Sequence, residues 1–168
     1  DIIKEHEYIV LQNEIPQSTN ARVMELAHKY NKKVVYNPAP YRPIDKNVFQ
    51  YVDYLAVNEV ELMRYSGAEG IKEGADVLLN EGVKHLIITL GSDGSMYKSK
   101  NEEFSIKAHK VKAVDTVAAG DTYIGYMVAS LASGRSIKES MELASKASAL
   151  TVTKQGSIVS IPFGEEVY

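Results

Sequence analysis

Cysteine is absent from the chain's 168 residues, which excludes disulfides, thiol catalysis and zinc–thiolate sites. Histidine is scarce: His6, His28, His85 and His109 lie far apart without metal-ligand spacing and read as surface or packing residues. Lys and Arg are scattered and the net charge is -3, so no basic face for nucleic acid or a membrane surface is expected. No apolar run reaches the length of a membrane span, and residues 1–7 lack the pattern of a signal peptide. A cytoplasmic protein is the simplest expectation. The phosphate loop Gly-x-x-x-x-Gly-Lys-Ser/Thr is missing as well.

What is present is an ordinary globular composition, 45% hydrophobic and 24% charged. The length suits one domain over residues 1–168 with a sizeable core. Short apolar runs alternate with amphipathic ones. Tyr8–Gln12, Lys33–Tyr36, Tyr54–Val57 and Lys84–Leu90 read as strands. Between them, helices are expected from a Ser18 or Thr19 cap, over Glu59–Ser66 with Gly67 as its stop, and around Ile71–Asn80 ending at Gly82. Ser95–Lys98, Glu103–Ala108 and Lys110–Val114 read as shorter, partly exposed strands. A helix follows Asp121 and stops at Gly134. Ser136-Ile137-Lys138-Glu139 is a capping box opening the last long helix, to about Val152, before an extended tail. This alternation predicts an α/β fold with a mostly parallel sheet covered on both faces. Ligands bind such sheets beyond the carboxyl ends of the strands. Asn37, Asn58, Gly91–Gly94 and Ala118–Asp121 are all expected on that rim.

The stretch Val114-Asp115-Thr116-Val117-Ala118-Ala119-Gly120-Asp121-Thr122 carries the most chemistry. Small residues let the backbone turn sharply and approach a ligand. The N–H groups at the following helix start form an anion site. Asp121 at its mouth is placed to take a proton from a hydroxyl attacking a phosphate. By themselves these residues serve equally as a helix cap.

Taken with three further strings, Asn37-Pro38-Ala39-Pro40, Asn58-Glu59-Val60-Glu61 and Thr89-Leu90-Gly91-Ser92-Asp93-Gly94, the chain resembles the phosphofructokinase-B (PfkB) carbohydrate kinases, and within them the ribokinase-like group. The resemblance covers essentially the whole chain. It implies a three-layer α/β/α ribokinase-like fold and phosphoryl transfer from ATP to a sugar, ribose first among the acceptors. Another sugar or a nucleoside is the alternative acceptor. It also implies that the chain corresponds to the C-terminal, nucleotide-binding portion, without the N-terminal strands and lid; on its own that portion is expected to be inactive, or to act as a non-catalytic nucleotide-binding module.

The resemblance implies these roles. Asp121 is the general base, with the N–H groups of Ala118, Ala119, Gly120 and Asp121 as the anion hole. Asn58, Thr89, Leu90, Gly91, Ser92, Asp93, Gly94, Gly120 and Ser145 contact the nucleotide, and Glu14 joins Asp121 at the sugar. Glu61 organises the water shell of Mg²⁺, although Asn58-x-x-Glu61 also reads as a capping box. Asp115, Val117, Thr151, Lys154, Gly156 and Ser160 surround a monovalent cation such as K⁺, mostly through carbonyls. One departure is Tyr126, where the family favours alanine. The expected partners are the sugar and ATP, in a homo-oligomer with no nucleic acid or membrane. The first strand, Tyr8–Gln12, is the candidate for an exposed sheet edge through which the chain would self-associate.

Overall fold

The strands form where β-branched and aromatic residues run together. In the computed structural model, which describes residues 2–168, the order is α1 (Ile2–Glu5), β1 (Tyr8–Gln12), α2 (Gln17–Lys29), β2 (Lys33–Asn37), β3 (Tyr54–Asn58), α3 (Glu59–Ser66), α4 (Ile71–Asn80) and β4 (His85–Thr89), then β5 (Ser95–Ser99), β6 (Glu103–Ile106), α5 (Ala119–Ala132), α6 (Ile137–Thr151) and α7 (Gly164–Val167). Asp1, the first residue of the single-domain reading, lies outside the described residues. Among them, no helix is long and apolar enough to cross a membrane.

Six strands make one sheet in the order β1-β2-β3-β4-β5-β6, within a three-layer α/β fold. β1 to β4 are parallel, with Gln12 opposite Asn37 and Asn58 opposite Thr89. The connections into β5 and β6 are far too short for a parallel crossover, so the sheet is mixed. The chain divides into two compact units. The first runs to Thr89 and takes in Met96–Phe104; the second comprises Leu90–Ser95 and Ser105–Tyr168.

In the first unit the central triplets Val34-Val35-Tyr36, Leu55-Ala56-Val57 and Leu86-Ile87-Ile88 are buried. Full burial of such side chains stabilises by about 1.5–3 kcal/mol each. α2 lies on β1 and β2, α3 on β3 and β4, and α4 on β4. At the edge, only Leu11 of β1 is buried. The second unit has its own core, in which Tyr123, Ile124, Met127 and Leu131 of α5 are buried, as are Met141, Ala144 and Ala147 of α6; the two helices pack together.

Several expectations change. α2 begins at Gln17 with Pro16 as its cap residue, so Ser18 and Thr19 lie inside the first turn. Proline's fixed φ sets the chain for helix entry. Lys110–Val114 is not a strand: its alternation finds no neighbouring ladder, and the Val114 N–H goes to the Val152 carbonyl instead. β6 ends at Ile106, short of Ala108. The tail is not extended, since Ile158–Ser160 form a 3-10 turn and Gly164–Val167 form α7. α5 starts before Asp121, at Ala119.

Candidate functional site

Ala118 is the cap residue of α5, in the left-handed conformation at φ 64° and without a side-chain cap. A non-glycine residue there costs about 1–2 kcal/mol, a strain of the kind that gathers at functional sites. The cap is therefore not Asp121, which sits in the first helical turn, where backbone N–H groups have no intrahelical acceptor. Gly120 has no positive φ, and a Cβ added to it would meet nothing within 4 Å. Neither backbone conformation nor crowding by the chain itself calls for glycine at this position. The helix start is braced from α6. The Ser148 hydroxyl donates to the Ala119 carbonyl at 3.0 Å, and Thr151 Oγ1 lies 3.2 Å from Thr122 Oγ1.

The turn after β4 belongs to the same unit. The Leu90 N–H donates to the Gly94 carbonyl at 2.8 Å around a single 3-10 turn, Gly91–Asp93. Gly91 (φ 55°) faces open space. Gly94 (φ 102°) does not: a Cβ there would collide with the Ile106 carbonyl oxygen and lie 2.7 Å from the Ala108 nitrogen. The glycine at 94 thus serves the chain's own backbone. Ser95 Oγ lies 2.7 Å from the Tyr123 hydroxyl, joining the turn to α5. Burial pushes that phenol up to about 12. Ser145 on α6 donates to the Lys107 carbonyl at 3.5 Å. Leu90–Gly94, Ser145 and the start of α5 are thus linked through a few direct contacts. Thr89 ends β4 in the first unit.

Asp115 is a clamp. Its Oδ1 accepts the Val117 N–H and its Oδ2 the Gly156 N–H, both at 3.0 Å. These backbone donors hold its carboxyl below the usual range. Ser160 is buried and donates to the Ser157 carbonyl at 2.6 Å. Thr151 is buried too and donates to the Ala147 carbonyl. The Lys154 ammonium is paired with Glu166 at 3.2 Å, so what that residue has for a cation is its carbonyl. Among the described residues no three His, Cys, Asp or Glu side chains group as a metal site. A carboxylate, backbone carbonyls and a hydroxyl are donor types that suit a large, weakly charged ion. Tyr126, the departure from the family pattern, reaches the tail by donating to the Pro162 carbonyl at 2.7 Å.

In the first unit, Gln12, Asn37, Asn58 and Thr89 end the four parallel strands on one rim. Asn58 and Glu61 form a complete capping box. Asn58 Oδ1 accepts the Glu61 N–H at 2.9 Å, and Glu61 Oε2 accepts the Asn58 N–H at 3.0 Å. Glu61 is 9% exposed, and Oε1 stays outside the box. A single carboxylate oxygen suits an outer-shell contact to hydrated Mg²⁺. Asn37 donates its side-chain amide to the Ala56 carbonyl at 2.8 Å. Glu14 is exposed.

Next to Glu14 is a hub that the sequence reading missed. Asn13 is fully buried. Its backbone N–H donates to the Ala39 carbonyl at 2.9 Å and its side chain to the Pro38 carbonyl at 3.0 Å, which fastens the Asn37-Pro38-Ala39-Pro40 loop to the end of β1. The Tyr36 hydroxyl donates to Asn13 Oδ1, and the Tyr65 hydroxyl donates to Pro38 O at 2.9 Å. Burial raises both phenols. At the opposite strand ends Asp53 is buried, accepting the Val34 N–H and pairing with Lys84 at 2.8 Å; it braces the fold away from the rim.

With this geometry in hand, comparisons with known proteins are specific. A family model described as pfkB family carbohydrate kinase matches residues 1–163. The chain is similar to a ribokinase of Schizosaccharomyces pombe, 43% identical over 163 residues, covering 92% of this chain and 51% of that protein. A crystal structure of a ribokinase from Thermotoga maritima superposes with a TM-score of 0.93 at 36% identity, over 99% of this chain and 57% of that one. A structure of Arabidopsis thaliana ribokinase complexed with ribose and ATP gives a TM-score of 0.93 at 29% identity, over 99% and 56%. The chain thus spans about half the length of the relatives it matches.

Proposed function

The chain belongs to the pfkB family of carbohydrate kinases, and from that premise we propose that it is the nucleotide-binding portion of an ATP-dependent sugar kinase that phosphorylates D-ribose at O5. The observation that carries this reading is the start of α5, with Ala118 in its left-handed turn, Gly120 open to approach and Asp121 in the first turn. The sugar hydroxyl attacks the γ-phosphorus of ATP, the bond from that phosphorus to the β–γ bridging oxygen breaks, and the hydroxyl proton passes to Asp121. The N–H groups of Ala118–Asp121 and the helix dipole hold the charge of the transferring phosphoryl group. Asn58, Thr89, Leu90–Gly94 and Ser145 contact the nucleotide, and Glu14 contacts the sugar. Mg²⁺, when bound, supplies charge neutralisation on the phosphates; Glu61 orients its water shell. Asp115 and Ser160, with carbonyls of Val117, Thr151, Lys154 and Gly156, hold a potassium ion beside the anion hole. A cytoplasmic location goes with this reading.

A second reading concerns the 168-residue chain by itself. Because the chain spans about half of its relatives, it binds nucleotide without turning it over. Calorimetric titration with Mg·ADP, followed by an ATP-consumption assay with ribose, separates the two. Saturable binding without turnover supports the second reading for the isolated chain, and turnover supports the first outright. Absence of nucleotide binding contradicts both. In the longest natural form of the protein, a panel of ribose, deoxyribose and nucleosides tests the acceptor, and preference for anything but ribose overturns that choice.

A further inference from the structure

Glu14 is exposed on the short bend between β1 and α2, and the chain fastens that bend on both sides. On the strand side, the Gln12 carbonyl accepts from the Asn20 side-chain amide at 2.6 Å. On the helix side, the Pro16 carbonyl accepts the Thr19 and Asn20 N–H groups at 2.9 and 3.2 Å. Between these ties Asn13 is fully buried. Its N–H donates to the Ala39 carbonyl at 2.9 Å. Its Nδ2 lies 3.0 Å from the Pro38 carbonyl, 3.4 Å from the Pro40 carbonyl and 3.2 Å from the Tyr65 hydroxyl. Its Oδ1 accepts from the Tyr36 hydroxyl. All of these residues belong to the first unit.

Stability alone does not call for an amide between two phenols. Well-packed apolar side chains are often at least as stable as buried polar groups of similar volume. What the amide adds is direction. Apolar contacts tolerate sliding, whereas hydrogen bonds weaken steeply as their angles open, and a satisfied buried network favours one arrangement of the parts it joins. The parts joined here are the residue before Glu14, the loop after β2, and core tyrosines on β2 and α3. Burial raises both phenols, so the two hydroxyls keep their protons, and the network its donors, across the neutral range.

We infer that Asn13, held by Tyr36 and Tyr65, is a positioning residue for the acceptor: it fixes the backbone from which Glu14 reaches the sugar. The inference rests on the proposed contact of Glu14 with the sugar. The test is steady-state kinetics in the longest natural form of the protein, with Tyr36→Phe and Tyr65→Phe, each alone and combined with Glu14→Gln. Both phenylalanine variants lose one hydroxyl and keep the buried ring. Their urea midpoints set an assay temperature at which every variant is folded. Glu14→Gln is expected to raise KM for ribose by about tenfold or more. Each hydroxyl deletion raises it by about threefold to tenfold, with kcat and KM for ATP within about twofold of the parent. In the combined variants KM for ribose stays within about twofold of Glu14→Gln alone, because the deletions act through Glu14. A purely structural network would lower the urea midpoint and leave KM for ribose where it was. That outcome overturns the inference while the sugar contact stands. Effects that multiply in the combined variants, or a loss shared equally by KM for ATP and kcat, overturn it as well. A parent that does not turn over ribose, or an unchanged KM in Glu14→Gln, overturns the underlying reading and the inference with it.

Discussion

Single residues do separable work around the start of α5. A Cβ added at Gly120 meets nothing within 4 Å, so Gly120→Ala is expected to leave the fold intact but to obstruct whatever approaches the first turn. The expected outcome is an unchanged circular dichroism spectrum and melting temperature within a few degrees, with Mg·ADP affinity lower by at least about tenfold, or 1.4 kcal/mol. Asp115 makes a prediction in pH. Its carboxyl is held below its ordinary value of 3.8 by the N–H groups of Val117 and then Gly156. A depressed carboxyl contributes stability above its unfolded pKa and loses it as pH falls through the folded one. The stability gap between the parent chain and Asp115→Asn is therefore constant from about pH 5 to about pH 7 and closes below pH 3.8. Denaturant midpoints across that range check it; a gap that widens in acid contradicts the clamp. Asn13→Ala removes a buried amide that donates to the Pro38 and Pro40 carbonyls and accepts from the Tyr36 hydroxyl, while the backbone bond to the Ala39 carbonyl stays. Its expected cost, read from urea unfolding, is on the order of 3 kcal/mol.

At the scale of elements, α5 and α6 form the centre of the second unit. Met127 of α5 is fully buried in this unit. Met127→Ala is expected to lower the unfolding free energy by about 2–5 kcal/mol, and a cost under 1 kcal/mol contradicts the packing described. The elements also show what a sequence makes legible. β2, β3 and β4 were readable because buried parallel strands are short, continuous apolar runs. α3 and α6 were readable because their caps are local: Asn58 with Glu61 and Ser136 with Glu139 close within one turn. Lys110–Val114 was misread because alternation says nothing about whether a partner strand exists; its N–H groups turn to Val152 instead. The Asn13 hub stayed hidden for a related reason. Its partners Tyr36 and Tyr65 stand 23 and 52 residues away, and only the parallel register of β1 and β2 brings the first of them near. Of the proposed site, the motif order was legible; the left-handed Ala118, the Ser148 and Thr151 bracing and the use of Gly94 against Ile106 are tertiary facts.

For the whole molecule, β1 is the edge of the sheet, with Val10 47% exposed and only Leu11 buried along its length. An uncovered edge strand invites pairing with another chain, and an edge lysine blunts it. The 168-residue chain is expected to sediment as dimers or larger species at micromolar concentration, and Val10→Lys to shift it toward monomer. A monomeric parent chain contradicts this. The central claim, that α5 opens onto a phosphoryl-transfer site with Asp121 as base, is tested most directly by Asp121→Asn in the longest natural form of the protein, comparing ribose-dependent ATP turnover with Mg·ADP affinity. The account predicts a kcat lower by about 10²–10⁴-fold with nucleotide affinity within about threefold of the parent; a kcat near that of the parent contradicts it.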